Sequence, residues 1–136
     1  MQNYFEQYLG QFPAQVFDKI NENFIRCSFF ELCSRYLSSY YTFAIEQNNS
    51  AGRSDFEMTG IPGTDYYKDD RLAEFKYFKA KEAERMLALS DPRPEDVAQV
   101  LAYAKDTKEK FPHYHVRSYI VYICANKGWK CWEVTP

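Results

Sequence analysis

Ile25, Phe29, Leu32, Cys33 and Tyr36 recur at three- and four-residue intervals and form one stripe of a helix predicted from about Asn21 to Leu37. Glu22 falls near the middle of that stripe at its N-terminal end, and Glu31 projects from the opposite side. An acid on a buried stripe needs a partner, whereas an acid facing water does not. Upstream, Tyr4, Phe5, Tyr8 and Leu9 share a helical face that Gly10 and Pro13 interrupt, so residues 1–20 read as a helical lead-in or connector.

The period then changes. Tyr40–Glu46 is rich in β-formers, and Asn48–Gly52 is a turn signal. From Arg53 to Met58 the residues alternate, with Ser54, Phe56 and Met58 on one side and Arg53, Asp55 and Glu57 on the other. Gly60–Asp70 reads as a loop, Leu72–Phe78 as a third strand, and Lys79–Leu89 as a helix ending before Pro92 and Pro94. Another helix runs from Pro94 or Glu95 to about Lys110, with a core stripe of Val97, Val100, Leu101 and Ala104. Two strands, Val116–Cys124 and Trp129–Val134, close the chain around a turn at Asn126-Lys127-Gly128. The fold class is α/β: a central mixed β-sheet flanked by helices, in one domain over residues 21–136.

Chemistry concentrates in the third strand. Residues i and i+2 of a strand share a face, so Glu74 and Lys76 are neighbours while Phe75 points away. If the second and third strands pair, Asp55 approaches Glu74. Two converging carboxylates repel unless a cation intervenes, and oxygen ligands suit Mg²⁺, with Mn²⁺ as an alternative. The bland reading of Glu74 and Lys76 is a solvent-facing pair on an edge strand. Against it stands the surrounding Leu-Ala-Glu-Phe-Lys-Tyr-Phe, which reads as a largely buried strand where charges need partners.

Gly52-Arg53-Ser54-Asp55 followed by Glu74-Phe75-Lys76 resembles the PD-(D/E)XK nuclease signature, with Ser54 where the usual proline would stand. The element order resembles that superfamily's restriction-endonuclease-like α-β-β-β-α-β core. The resemblance implies a metal-dependent phosphodiester hydrolase in which Asp55 and Glu74 bind metal and Lys76 serves catalysis. It also implies an acid from the first helix, for which Glu22 is the candidate and Glu46 the weaker alternative. Gln99-Val100-Leu101-Ala102-Tyr103 is similar to a Q-x-x-x-Y element of the exonuclease branch associated with recombination helicases, which assigns Gln99 to the site and Tyr103 beside it. On a helical wheel Gln99 and Tyr103 share a face, opposite the Val97/Leu101 stripe. Arg53 and Lys79 are further candidates for nucleic-acid contact. A narrower resemblance, carried by Asn23-Phe24, Glu46, the Asp55 segment, Glu74-Phe75-Lys76 and Gln99, is to bacterial proteins of unknown function that join an AAA-type ATPase domain to a C-terminal PD-(D/E)XK domain.

Composition tempers this picture. The chain has 136 residues, 46% of them apolar, enough for a real core. Net charge is −2, so no global positive field points to nucleic acid. Locally, Lys68, Arg71, Lys76, Lys79, Lys81 and Arg85 form a basic stretch that suits either a phosphate track or a solvated face. No apolar run reaches membrane-spanning length and residues 1–6 lack signal-peptide character, so a cytoplasmic location without membrane contact is expected. Cys27, Cys33, Cys124 and Cys131 lack zinc-ligand spacing and read as reduced and mostly buried. Asp69-Asp70 reads as solvated loop, His113 and His115 as loop or strand edge, and Trp129 and Trp132 as packing residues. Two functions therefore compete: a nuclease acting on nucleic acid, with DNA the expected substrate, and an inactive domain of the same fold that binds nucleic acid or protein without cutting. A homodimer fits either.

Overall fold

The structure, a computed structural model, describes the backbone of residues 2–49 and 52–136 and the side chains of residues 5–45 and 55–136. Helix α1 (Gln2–Gly10) and a short 3₁₀ turn (Ala14–Asp18) lead into α2 (Glu22–Leu37). Asn21 caps α2, its side chain accepting from the Phe24 amide at 3.0 Å. Strands β1 (Tyr41–Asn49), β2 (Gly52–Gly60) and β3 (Asp69–Phe78) follow, then α3 (Ala83–Leu87), α4 (Pro94–Lys110), β4 (His115–Cys124) and β5 (Gly128–Val134). The sheet order is β1-β2-β3-β4-β5, antiparallel throughout except for the parallel β3–β4 pair that α3 and α4 bridge. The α/β class and mixed sheet expected from the sequence are what the chain forms.

One sheet face carries Phe56, Met58, Phe75, Val121 and Ile123, and packs with Phe5, Phe17, Ile25, Leu32 and Cys33 from the N-terminal helices. Phe29 lies in this layer between Phe5, Phe56 and Phe75, at ring separations of 5.1, 5.0 and 5.1 Å. The other face is covered by α3 and α4 and is apolar chiefly at Phe78, Ile120, Tyr122 and Cys124, against Ala83, Met86 and Val100.

Several expectations need correction. Tyr36 is exposed although it falls on the α2 stripe, because it lies in the last turn and an angular stripe does not say where the packing beneath it stops. Asp69 and Asp70 begin β3 and are not loop residues; Asp70 is 1% exposed. All four cysteines are free, but Cys27 and Cys131 are exposed. On α4 the buried residues are Asp96, Val100, Tyr103, Asp106 and Thr107, whereas Leu101 and Ala104 are half-buried. The buried line is thus rotated from the apolar stripe, because the sheet face beneath it itself buries Asp70, Glu74 and Ser118.

The 3₁₀ turn and α1 contribute side chains to the larger core, with Phe5 fully buried edge-on to Phe29 and Trp129. Phe5→Ala should destabilise the protein by about 3–5 kcal/mol. Urea unfolding checks this; an unchanged midpoint would show that α1 does not pack as described.

Candidate active site

The site is built on a fork between two strands. β2 pairs with β1 from Tyr41↔Gly60 to Asn49↔Gly52, but with β3 only from Phe56 to Thr59. Beyond the Phe56↔Ala73 pair, β3 continues beside β4 as far as Phe78. One edge of β3, from Glu74 on, is therefore without a strand partner. Alternate residues of a strand direct their amides to the same edge, so Phe75 and Tyr77 share this open one. Buried amides need acceptors, and here carboxylates supply them. Asp55 Oδ2 accepts from Phe75 N at 3.0 Å, and Glu22 Oε1 from Tyr77 N at 3.5 Å.

Asp55 is 7% exposed, and its second oxygen accepts from Arg26 Nη1 of α2 at 2.7 Å. Arg26 also donates from Nη2 to Asn23 Oδ1 at 2.9 Å. Arg26 was not foreseen from the sequence; it lies one residue past Ile25 on α2, at a position where a charge looks solvated until Asp55 is placed above it.

Glu74 and Lys76 project from the face that α4 covers, with Lys76 Nζ 3.1 Å from Glu74 Oε1. Glu74 is 2% exposed, and its Oε2 has no hydrogen-bond partner among the described residues. Burial pushes its carboxyl up to about 7, and the Asp55 charge adds to this; the hydrogen bond and charge of Lys76 pull the other way without prevailing. For Lys76, burial alone would lower the ammonium, but the hydrogen bond and charge of Glu74, joined by Glu22 and Asp96, raise it. Asp55, Lys76 and Asp96 of α4 thus act on Glu74, and Glu74, Glu22 and Asp96 on Lys76.

On α4, Gln99 Nε2 donates to Tyr103 Oη at 2.8 Å, so the two do share a side of the helix. This side, opposite the Val97/Leu101 stripe, is more buried than the stripe itself: Tyr103 is 4% exposed, while Gln99, Val97 and Leu101 are half-buried. Lys79 is exposed, with Nζ donating to the Asp18 carbonyl at 2.6 Å. Arg53 belongs to β2, but its side chain, like that of Glu46, lies outside the described residues. His113 is exposed in the turn before β4 and His115 is exposed as its first residue, and Trp129 and Trp132 pack, on Phe5 and Tyr122 respectively.

Residues 20–133 match the profile of a PD-(D/E)XK nuclease superfamily family. The chain belongs to this superfamily. Curated proteins offer no match.

Members of this superfamily generally use divalent metals. Among the described residues, no three His, Cys, Asp or Glu side chains are already arranged as a ligand set. The donor set nonetheless fits a hard cation: a buried carboxylate oxygen without a partner, a second carboxylate whose charge it feels, and a third leaning on a neighbouring amide. Asp55 is the restricted member, since Arg26 and the Phe75 amide each take one of its oxygens. Arg26 and the group Arg93, Asp96 and Tyr122 were missed in the sequence: Arg26–Asn23 and Arg93–Asp96 are local pairs that read as solvated helix charges, and the buried partners Asp55 and Tyr122 that give them a role are distant in the chain.

The raised Glu74 pKa has a definite sign in metal-free stability. The folded state holds this proton more tightly than the unfolded one, so its contribution is complete below the ordinary carboxyl value of about 4.5 and is lost as pH rises through about 7. Glu74→Gln, which cannot ionise, should gain in melting temperature relative to the native chain as pH increases across that window. Thermal melts in chelator check this, and a pH-independent difference would refute it.

Proposed function

We propose that this PD-(D/E)XK chain is a metal-dependent nuclease that hydrolyses phosphodiester bonds of nucleic acid, with DNA as its substrate. The observation that carries the reading is Glu74: a buried carboxylate with one oxygen on Lys76, the other without a hydrogen-bond partner among the described residues, and Asp55 close enough to raise its pKa. Glu74 and Asp55 would hold Mg²⁺ or Mn²⁺, with Glu22 as a third contributor. A bound divalent ion would acidify a water and offset the charge that develops at phosphorus. Lys76, kept protonated by Glu74, Glu22 and Asp96, would orient the attacking water and stabilise the negative charge of the transition state. Gln99, tied to Tyr103, would bound the cleft on the α4 side, and Arg53 and Lys79 would contact the strand. The same resemblance proposes an AAA-type ATPase domain as an upstream partner and pairing of two copies for cutting both strands, and a cytoplasmic setting is proposed beside it from the sequence reading. Among the described residues no helix is long and apolar enough to cross a membrane.

A second reading draws on the Arg26–Asp55 ion pair. A guanidinium 2.7 Å from Asp55 already neutralises part of the site, as suits a domain of this fold that binds nucleic acid or protein without cutting.

Cleavage of labelled DNA in Mg²⁺ or Mn²⁺ separates the two. The nuclease reading expects metal-dependent cleavage by the native chain, falling at least about 100-fold in Glu74→Gln and in Lys76→Ala while both variants remain folded by circular dichroism. Undiminished cleavage in both variants would refute the assignment, and a native chain that binds DNA without cutting it would favour the interaction module.

A further inference from the structure

Arg93 stands at the N-cap of α4 yet makes no side-chain cap bond there, so the helix start does not call for an arginine. Its own amide donates to Tyr122 Oη at 3.0 Å. Its Nε donates to Asp96 Oδ2 at 2.9 Å and approaches Tyr122 Oη at 3.3 Å, and the Tyr122 hydroxyl in turn donates to Asp96. The guanidinium carbon lies 5.1 Å from the Phe78 ring centre and 5.6 Å from that of Tyr122. These two rings flank Lys76. Tyr122 is its register partner on β4, and Phe78 is two residues further along the same face of β3. Arg93 is therefore fastened, by its Nε edge and by stacking, beside the cation of the candidate site.

What this leaves open is the other edge. With Nε engaged, neither Nη1 nor Nη2 is hydrogen-bonded among the described residues, and about a third of the side chain (33%) is exposed. A planar donor fork held rigid from behind loses little conformational freedom when it meets a two-oxygen acceptor. Asp96, with the exposed Glu95 carboxylate 3.7 Å from Nε, offsets the formal charge, so recognition here is short-ranged and directional, not a matter of long-range steering. That agrees with a chain of net charge −2, which has no global attraction for an anion.

We propose that Arg93 is a phosphate-binding residue: its Nη1/Nη2 edge receives a backbone phosphodiester of the nucleic-acid strand whose scissile phosphate lies by Lys76. The assignment rests on the nuclease reading and extends it to a substrate contact that no motif marks. A lysine could satisfy Asp96 but could not offer the paired donors, so the conservative variant distinguishes recognition from mere charge.

The test is binding of fluorescein-labelled single-stranded and duplex DNA by anisotropy, in EDTA so that nothing is cut, across a series of salt concentrations. The native chain, Arg93→Gln, Arg93→Lys and the distant exposed control Arg35→Gln are compared. Arg93→Gln should bind about tenfold more weakly and with a shallower dependence on salt, Arg93→Lys should recover part of the affinity, and Arg35→Gln should match the native chain. Native affinity in Arg93→Gln would overturn the assignment, as would weaker binding with an unaltered salt slope, which is the mark of a structural role alone. If the native chain cuts DNA while Arg93→Gln binds normally, only Arg93 is misassigned. If the native chain neither binds nor cuts, the nuclease reading falls and takes this assignment with it.

Discussion

The parting of β2 from β3 is the constraint on which the rest of the site depends. Past Phe56↔Ala73 the two strands no longer share hydrogen bonds, and the open β3 edge must be satisfied inside the protein. A buried backbone amide without an acceptor costs about 1–3 kcal/mol. The chain meets this demand with acids, Asp55 at Phe75 and Glu22 at Tyr77. The same two bonds that complete the backbone therefore bring carboxylates from β2 and α2 to the strand that carries Glu74 and Lys76. Structural need and candidate chemistry are met by the same side chains.

The face beneath α4 shows a related compromise. Asp70, Glu74 and Ser118 are all nearly inaccessible there, beside Leu72 and Ile120. The packed side of α4 is polar in turn, with Asp96, Tyr103, Asp106 and Thr107, and the Asp96 charge adds to the strain on Glu74 rather than relieving it. Some of the polar demand remains unmet: Glu74 Oε2 and Asp70 Oδ1 have no hydrogen-bond partner among the described residues. Burial is the first cause of the raised pKa at both, with Asp55 adding to it at Glu74 and Glu57 at Asp70. Buried carboxylates with raised pKa and incomplete hydrogen bonding recur at functional sites, though structural clusters show them too.

The opposite face sets the contrast. There Phe5, Phe29, Phe56 and Phe75 interlock edge to face, and α2 presents Ile25 and Leu32 to them. This layer packs behind β3. Arg26 bridges the two regions, running from α2 to Asp55 as a buried ion pair. Removing one partner of such a pair leaves an uncompensated charge, so the position of Asp55 is held by more than its own strand.

The sequence by itself determined the elements and the central pair. Helix α2, the β2 alternation and the β5 hairpin were legible because their signals are local: an apolar stripe at helical spacing, a period of two, a turn at Asn126–Gly128. Glu74 and Lys76 were legible for the same reason, since two positions along one strand are enough to place them together. Tertiary structure decided the remainder. The fork that sets Asp55 and Glu22 on neighbouring amides depends on where β2 stops pairing, which no residue announces. The packed side of α4 could not be found from its apolar stripe, because the face it covers is itself partly acidic. Arg26 and Arg93 acquire meaning only from Asp55, 29 residues away, and from Tyr122, also 29 residues away. Short-range patterns specify a strand or a helix; which polar groups share its buried face is fixed only when distant segments meet.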